Sequence, residues 1–73
     1  MWHKIEINGF AGYRANAKVF DEGSTYGINE GRISKLEIFN GKTRVYNYDR
    51  GLDFDELDAT GKAFYSEILQ LFA

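Results

Sequence analysis

Two Asn-Gly pairs, at 8–9 and 40–41, each stand between runs in which apolar and polar residues alternate. Such a pair tolerates the positive φ angles of a tight hairpin turn, and flanking alternation marks strands with one buried face. Antiparallel pairing is therefore the constraint that every other feature must fit. "WHKIEI" (2–7) sets His3, Ile5 and Ile7 on one face and Trp2, Lys4 and Glu6 on the other. After the turn segment "NGFAG" (8–12), "YRANAKVF" (13–20) alternates again, with Tyr13, Ala15, Ala17 and Val19 opposed to Arg14, Asn16, Lys18 and Phe20.

A third strand is read at "ISKLEIF" (33–39), where Leu36 and Ile38 point one way. Ile33 is out of phase with them, which implies a bulge or a late strand start. Asn40-Gly41 then turns the chain into "TRVYNY" (43–48), whose inward side is open: Val45 argues for one face, Tyr46 and Tyr48 for the other. "DRGLDFDELD" (49–58) reads as a loop leading into a helix. Leu57, Phe64, Ile68 and Leu71 fall on one helical stripe, flanked by Tyr65 and Phe72. Asp55 or Asp58 is placed to cap its start, where acids suit the helix dipole. Gly61, at a cost of about 1 kcal/mol inside a helix, marks either a close approach to the sheet or a helix beginning near Thr60. The expected fold is α+β, a four-stranded antiparallel meander with one C-terminal helix on one face (ββββα), in a single domain over 1–73.

At 73 residues the chain is one small domain, a size that buries only about 60% of its unfolded surface. Hydrophobic content of 44%, with five tyrosines, six phenylalanines and one tryptophan, supports a folded core. There is no cysteine, so disulfides and thiolate zinc sites are excluded and a reducing compartment is expected. No apolar run approaches the roughly 18 residues of a membrane span, and "MWHKIEING" lacks a signal-like apolar stretch. A soluble, cytoplasmic chain without membrane partners is expected. The net charge of −2 is uneven: residues 1–48 hold seven basic and five acidic side chains, residues 49–73 two basic and six acidic.

Gly23, Gly27 and Gly31, spaced by four, raise the question of a phosphate loop. Such a loop runs from strand to helix and ends in a lysine followed by serine or threonine. Here the glycines precede a strand and no lysine follows directly. Conformational freedom in a twelve-residue connection is the expected role, with Arg32 and Lys35 as contact residues beside it. Catalysis has little to stand on. His3 is the one histidine and is expected partly buried beside Ile5 and Ile7; no serine has an evident base, and there is no cysteine nucleophile. Asp49, Asp53, Asp55, Glu56 and Asp58 offer oxygen ligands without the spacing of a calcium loop. No enzyme activity, metal or cofactor is expected.

One helix covers one face of a sheet. The other face, by parity, carries Trp2, Lys4, Arg14, Lys18, Phe20, Lys35, Phe39, Arg44, Tyr46 and Tyr48. Aromatics among cations suit a protein interface, in which Trp, Tyr and Arg dominate, and also a nucleic-acid surface of stacking rings and phosphate-meeting cations. A pI near 5.2 weighs against nucleic acid. A second copy of the chain is a further way to close that face.

"YGINEGRISKLEIF" (26–39) together with "YDRGLDFD" (48–55) resembles a family of small phage, prophage and Gram-positive bacterial proteins of unknown function. In that family a G-I-x-x-G-R-I-S-K-L segment precedes a Y-D-R-G-W-D-like segment and a short helix; this chain has Leu52 where the family has Trp. The resemblance spans most of the chain and implies a non-enzymatic binder or inhibitor of one host protein, such as an anti-CRISPR. Arg32, Ser34, Lys35, Asp49 and Arg50 are the contact residues it points to. With the sheet face, the expected binding set is Trp2, Arg32, Lys35, Tyr46, Tyr48 and Arg50. A structural alternative pairs Arg32 or Arg50 with Asp49 or Asp53 across the two loops.

Overall fold

The computed structural model describes residues 1–73 and contains five strands, one short 3-10 turn and one helix. The strands are β1 (Trp2–Ile5), β2 (Tyr13–Val19), β3 (Ile33–Asn40), β4 (Thr43–Asp49) and β5 (Leu52–Asp55), followed by α1 (Ala59–Leu71). All neighbours pair antiparallel in the order β1-β2-β3-β4-β5. The α+β meander with a C-terminal helix is thus as expected, but the sheet has five strands rather than four. The fifth lies where the sequence reads as a loop. Its turn is made by Arg50, a non-glycine residue at φ 57°, with the Asp49 amide donating to the Gly51 carbonyl at 2.9 Å. Its four residues include Asp53 and Asp55, which are poor strand formers tolerated on an edge. At the two Asn-Gly turns, Gly9 and Gly41 have φ of 93° and 64°, the angles for which the pairs were read.

Two irregularities decide which side chains face the helix. Opposite Lys18 and Val19, β3 carries an extra residue, so that Lys18 pairs with Lys35 and Val19 with Ile33. This bulge returns Ile33 to the same side as Leu36 and Ile38. In β4, Ile38 pairs with Tyr46 and Phe39 with Arg44, leaving Val45 as the extra residue. Parity across 44–48 therefore fails. Arg44 stays on the open face, whereas Tyr46 turns to the helix and is 4% exposed. The expectation that Tyr46 and Tyr48 share the open face with Arg44 is corrected on this ground.

The helix lies over the inward residues of the sheet. Phe64 and Ile68 are fully buried with Leu36 and Ile38. Phe64 meets Phe10 and Tyr13 at ring separations of 5.4 and 5.6 Å, and Tyr65 meets Tyr46 at 5.1 Å. Leu71, expected on the same stripe, is 60% exposed because α1 ends there and Phe72 turns inward instead, against His3 at 5.0 Å. His3 itself is exposed rather than partly buried.

Asp58 caps the helix, accepting from the Gly61 amide at 2.7 Å. The same oxygen accepts from the Tyr13 hydroxyl at 2.7 Å, and Asn40 Nδ2 donates to that hydroxyl at 3.3 Å. One carboxylate thus ties the helix start to β2, and through Asn40 to the β3–β4 turn. Gly61 is buried because a Cβ there would lie 3.0 Å from Leu57 Cδ2 and 3.2 Å from the Asp58 carboxylate, so its close approach is to the cap and not to the sheet. The Tyr13 hydrogen bond, followed by the Gly61 amide, holds Asp58 below the usual carboxylate range. The same hydrogen bond to Asp58, followed by burial, pushes the Tyr13 phenol up.

Phe64→Ala removes a fully buried ring at a cost of about 3–5 kcal/mol, most of what a domain this small has; urea titration should find it largely unfolded. Leu71→Ser should change stability by about 0.5 kcal/mol or less. Tyr13→Phe should be less stable than wild type at neutral pH. Because Asp58 is depressed in the fold, that gap is full above the ordinary carboxylate value of about 4 and should narrow as pH falls below it, toward the lower value of the folded carboxylate. It should also narrow as pH rises past the ordinary phenol value of about 10, where Tyr13 ionises in the unfolded chain while the phenol beside Asp58 stays protonated. Chemical denaturation across pH measures both limbs.

Candidate interaction surface

The face opposite α1 has no element packed on it. Its side chains stand in rows fixed by register. Trp2, Lys18, Lys35 and Asp49 form one row. Lys4, Asn16, Glu37, Asn47 and Phe54 form the next, and Arg14, Phe39 and Arg44 a third. Each phenylalanine on or beside these rows lies under a cation from a neighbouring position. The Arg14 guanidinium is 4.2 Å from the Phe39 ring centre, Arg44 5.4 Å from Phe54, and Lys18 Nζ 5.5 Å from Phe20. Trp2, 56% exposed, stacks on no ring and carries no cation.

Glu37, Asp49 and Asp53 are engaged by their neighbours, whereas Glu6, beyond the end of β1, has no ion-pair partner. Lys35 pairs with Asp49 at 3.6 Å, and Arg44 with Glu37 at 3.6 Å. Asn16 donates to Glu37 at 3.3 Å and Asn47 to Asp53 at 3.1 Å. Exposed ion pairs of this kind are worth about 0–1 kcal/mol each and cation–π contacts about 0.5–1. They order the face more than they stabilise the fold. Lys18 and Lys35 stand directly opposite, a like-charge pair that is unfavourable on its own. Asp49 and the Phe20 ring draw the two ammonium groups to opposite sides. Lys4, Arg14 and Lys18 have no carboxylate partner.

At the Trp2 end of the sheet two connections converge. In the loop before β3, the Ser24 amide donates to the Gly31 carbonyl and the Gly27 amide to the Ser24 carbonyl. Gly23, Gly27 and Gly31 do not adopt positive φ; Asn29 (54°) and Glu30 (57°) do. The glycines instead permit backbone to lie on backbone. A Cβ on Gly27 would collide with the Gly31 carbonyl oxygen, and one on Gly23 would lie 2.6 Å from the Glu30 carbonyl oxygen. Conformational freedom was the wrong role for them, close approach the right one. Arg32 Nε donates to the Phe20 carbonyl at 2.9 Å. Tyr48 Oη donates to the Tyr26 carbonyl at 2.9 Å, and the Arg50 amide to the Ser34 carbonyl at 2.8 Å. The Arg50 guanidinium sits 5.9 Å from the Tyr26 ring centre.

Of the six expected binding residues, Trp2 and Lys35 therefore share a row of the open face. Arg32 and Arg50 stand at the adjoining loop and turn. Neither arginine pairs with Asp49 or Asp53; Lys35 and Asn47 hold those carboxylates. Tyr48 fastens the loop from the helix side. Tyr46 lies in the core, where burial, and then the adjacent Tyr65 hydroxyl, push its ionisation up. Phe54 was missed. The alternation of "LDFD" was the signal for it, hidden by the two aspartates. His, Asp and Glu nowhere gather in threes at metal-binding distance, and no helix is long and apolar enough to cross a membrane.

A family described as a domain of unknown function, DUF7678, matches residues 1–73, and the chain belongs to it. No curated protein and no solved structure matches the chain.

The loop geometry makes a prediction. Gly27→Ala forces the loop open and should lower the melting temperature by several degrees, with amide shifts spreading from 23–33 to Tyr48. Gly51→Ala, which meets open space at a φ outside the left-handed region, should leave both unchanged.

Proposed function

We propose that this domain is a non-enzymatic protein-interaction module that presents the open sheet face, with the 21–32 loop and the β4–β5 turn at its Trp2 end, to a partner protein. The observation that carries this reading is the uncovered face itself, ordered by cation–ring and ion pairs and bearing an exposed tryptophan at one end. Tryptophan and arginine are the residues on which protein interfaces concentrate their energy. The binding residues under this reading are Trp2, Lys35, Arg32 and Arg50. The context implied by the motif resemblance, a phage or prophage protein acting on a host protein in the cytoplasm, agrees with it.

Nucleic acid is the alternative, favoured by the unpaired Lys4, Arg14 and Lys18. The geometry supports it less. Stacking of bases requires free ring faces, and the rings of Phe20, Phe39 and Phe54 each already lie beside a cation.

Trp2→Ala and Lys35→Gln should abolish capture of a host protein by the immobilised chain while changing stability by about 1 kcal/mol or less. Titration of single- and double-stranded DNA and RNA, followed by Trp2 fluorescence, should show no saturable change at low salt. A saturable change that weakens steeply with salt would replace the protein reading with the nucleic-acid one.

A further inference from the structure

The two margins of the sheet are unlike. β5 forms one edge and carries Asp53 and Asp55, with Glu56 directly after it. Such acids guard an edge against further strands. β1 forms the other edge, and three of its four residues are exposed. Its backbone phase follows from one pair. The Val19 amide donates to the Met1 carbonyl at 2.8 Å, and the Met1 nitrogen donates to the Val19 carbonyl at 3.2 Å. In an antiparallel ladder, inward bonding alternates along the strand. With Met1 bonded inward, His3 and Ile5 are inward as well. Trp2 and Lys4 then direct N–H and C=O away from the sheet, two residues apart and without partners.

The surface beside these groups is recessed and carries an excess of cations free of carboxylate partners. A cleft of about 400 Å³ is lined by Trp2, His3, Lys4, Asn16 and Glu37. A second, of about 350 Å³, continues from Lys4 and Asn16 to Arg14 and Glu6, so that two cations, Lys4 and Arg14, stand there against one free carboxylate. Lys4 and Arg14 have no carboxylate partner, and Glu37 is taken up by Arg44 and Asn16.

We propose that the free edge of β1 docks an extended acidic segment of a partner protein, which adds as a sixth strand beside Trp2–Ile5. The proposal rests on the interaction reading above and specifies its partner chemistry. Backbone bonds to Trp2 and Lys4 supply the affinity, as in other cases of strand addition. Side chains supply the selectivity. Alternate residues of the incoming strand share the open face, so an apolar residue lies beside Trp2 and a carboxylate two positions away lies beside Lys4, within reach of Arg14. The acids on β5 repel the same segment, which makes β1 the edge it selects.

The test uses the full chain, labelled with nitrogen-15, and two extended decapeptides. In one, the positions that share a face are valine and glutamate in turn, with threonine at the positions between them; its counterpart has lysine in place of glutamate. At low salt the acidic peptide should bind at least tenfold more tightly than the basic one, shifting the Trp2 and Lys4 amides and slowing their hydrogen exchange. Lys4→Pro should weaken this binding at least tenfold with thermal unfolding unchanged, because the amide it removes serves no bond within the sheet. Lys4→Glu should lose the preference for the acidic peptide, and decides the matter if the proline variant does not fold. Equal binding of the two peptides, no binding, or shifts confined to β5 would overturn the proposal. So would self-association of the free chain that Lys4→Pro abolishes, which would assign the edge to a second copy. Host-protein capture lost in Trp2→Ala but kept in Lys4→Pro would overturn this edge alone; capture kept in every variant would overturn the face reading too.

Discussion

Between Ile38 and Phe39 the third strand faces one residue too many, and the surplus, Val45, reverses the pleat of the fourth strand. On its far side Tyr46 and Tyr48 turn toward the helix. On its near side Arg44 remains over Phe54 and beside Glu37 on the open face. Without the extra residue, either the tyrosines would leave the core or the arginine would enter it. The second would bury a guanidinium with no carboxylate near, a cost far beyond what a small domain can absorb. What the fourth strand contributes to the core, and with it what it contributes to the opposite face, depends on this irregularity.

A second dependence runs through Tyr48. Its ring belongs to the helix side of the sheet, yet its hydroxyl donates to the Tyr26 carbonyl. The loop it holds is compact only because three glycines let backbone meet backbone. Arg32 fastens the other limb of the loop to the Phe20 carbonyl, and the Arg50 amide reaches Ser34. The long connection and the β4–β5 turn are therefore built as one end of the sheet. The two motifs singled out in the sequence, around Gly27–Leu36 and Tyr48–Asp53, meet there in space. Their meeting is a matter of backbone hydrogen bonds more than of charge.

These dependences explain what the sequence disclosed and what it withheld. Alternation and the two Asn-Gly pairs located four strands, and the spacing of Phe64 and Ile68 located the helix and its buried stripe; Leu57, read onto the same stripe, is buried but lies before the Asp58 cap and outside the helix. Asp58, one of two proposed caps, is the cap. Local pattern failed where pairing was decided by something nonlocal. A bulge is visible only against its partner strand, so the phase of Tyr46 and Tyr48 was beyond parity. β5 lies behind a turn whose positive φ falls on Arg50 rather than on Gly51. The glycine spacing was evident, but close approach cannot be told from conformational freedom until the two strands of a loop are laid together. Of the surface, Trp2 and Lys35 were legible because their strands are regular there. Phe54 was not, because its strand was not.

The two faces of the sheet also divide the energetics. Burial of Leu36, Ile38, Phe64 and Ile68 on the helix side dominates stability, at roughly 1.5–3 kcal/mol for each large side chain. The open face adds exposed pairs worth a fraction of that each. A face so arranged is held in shape by many weak contacts, none of which the fold needs. Substitutions there should leave folding largely undisturbed, whereas a change at Tyr46 perturbs folding first. The edges show the same division in their backbones: β2, β3 and β4 are paired on both sides, while β1 offers unpaired groups beside unpaired cations. Where stability makes the fewest demands on the chain, the surface is free to be specific.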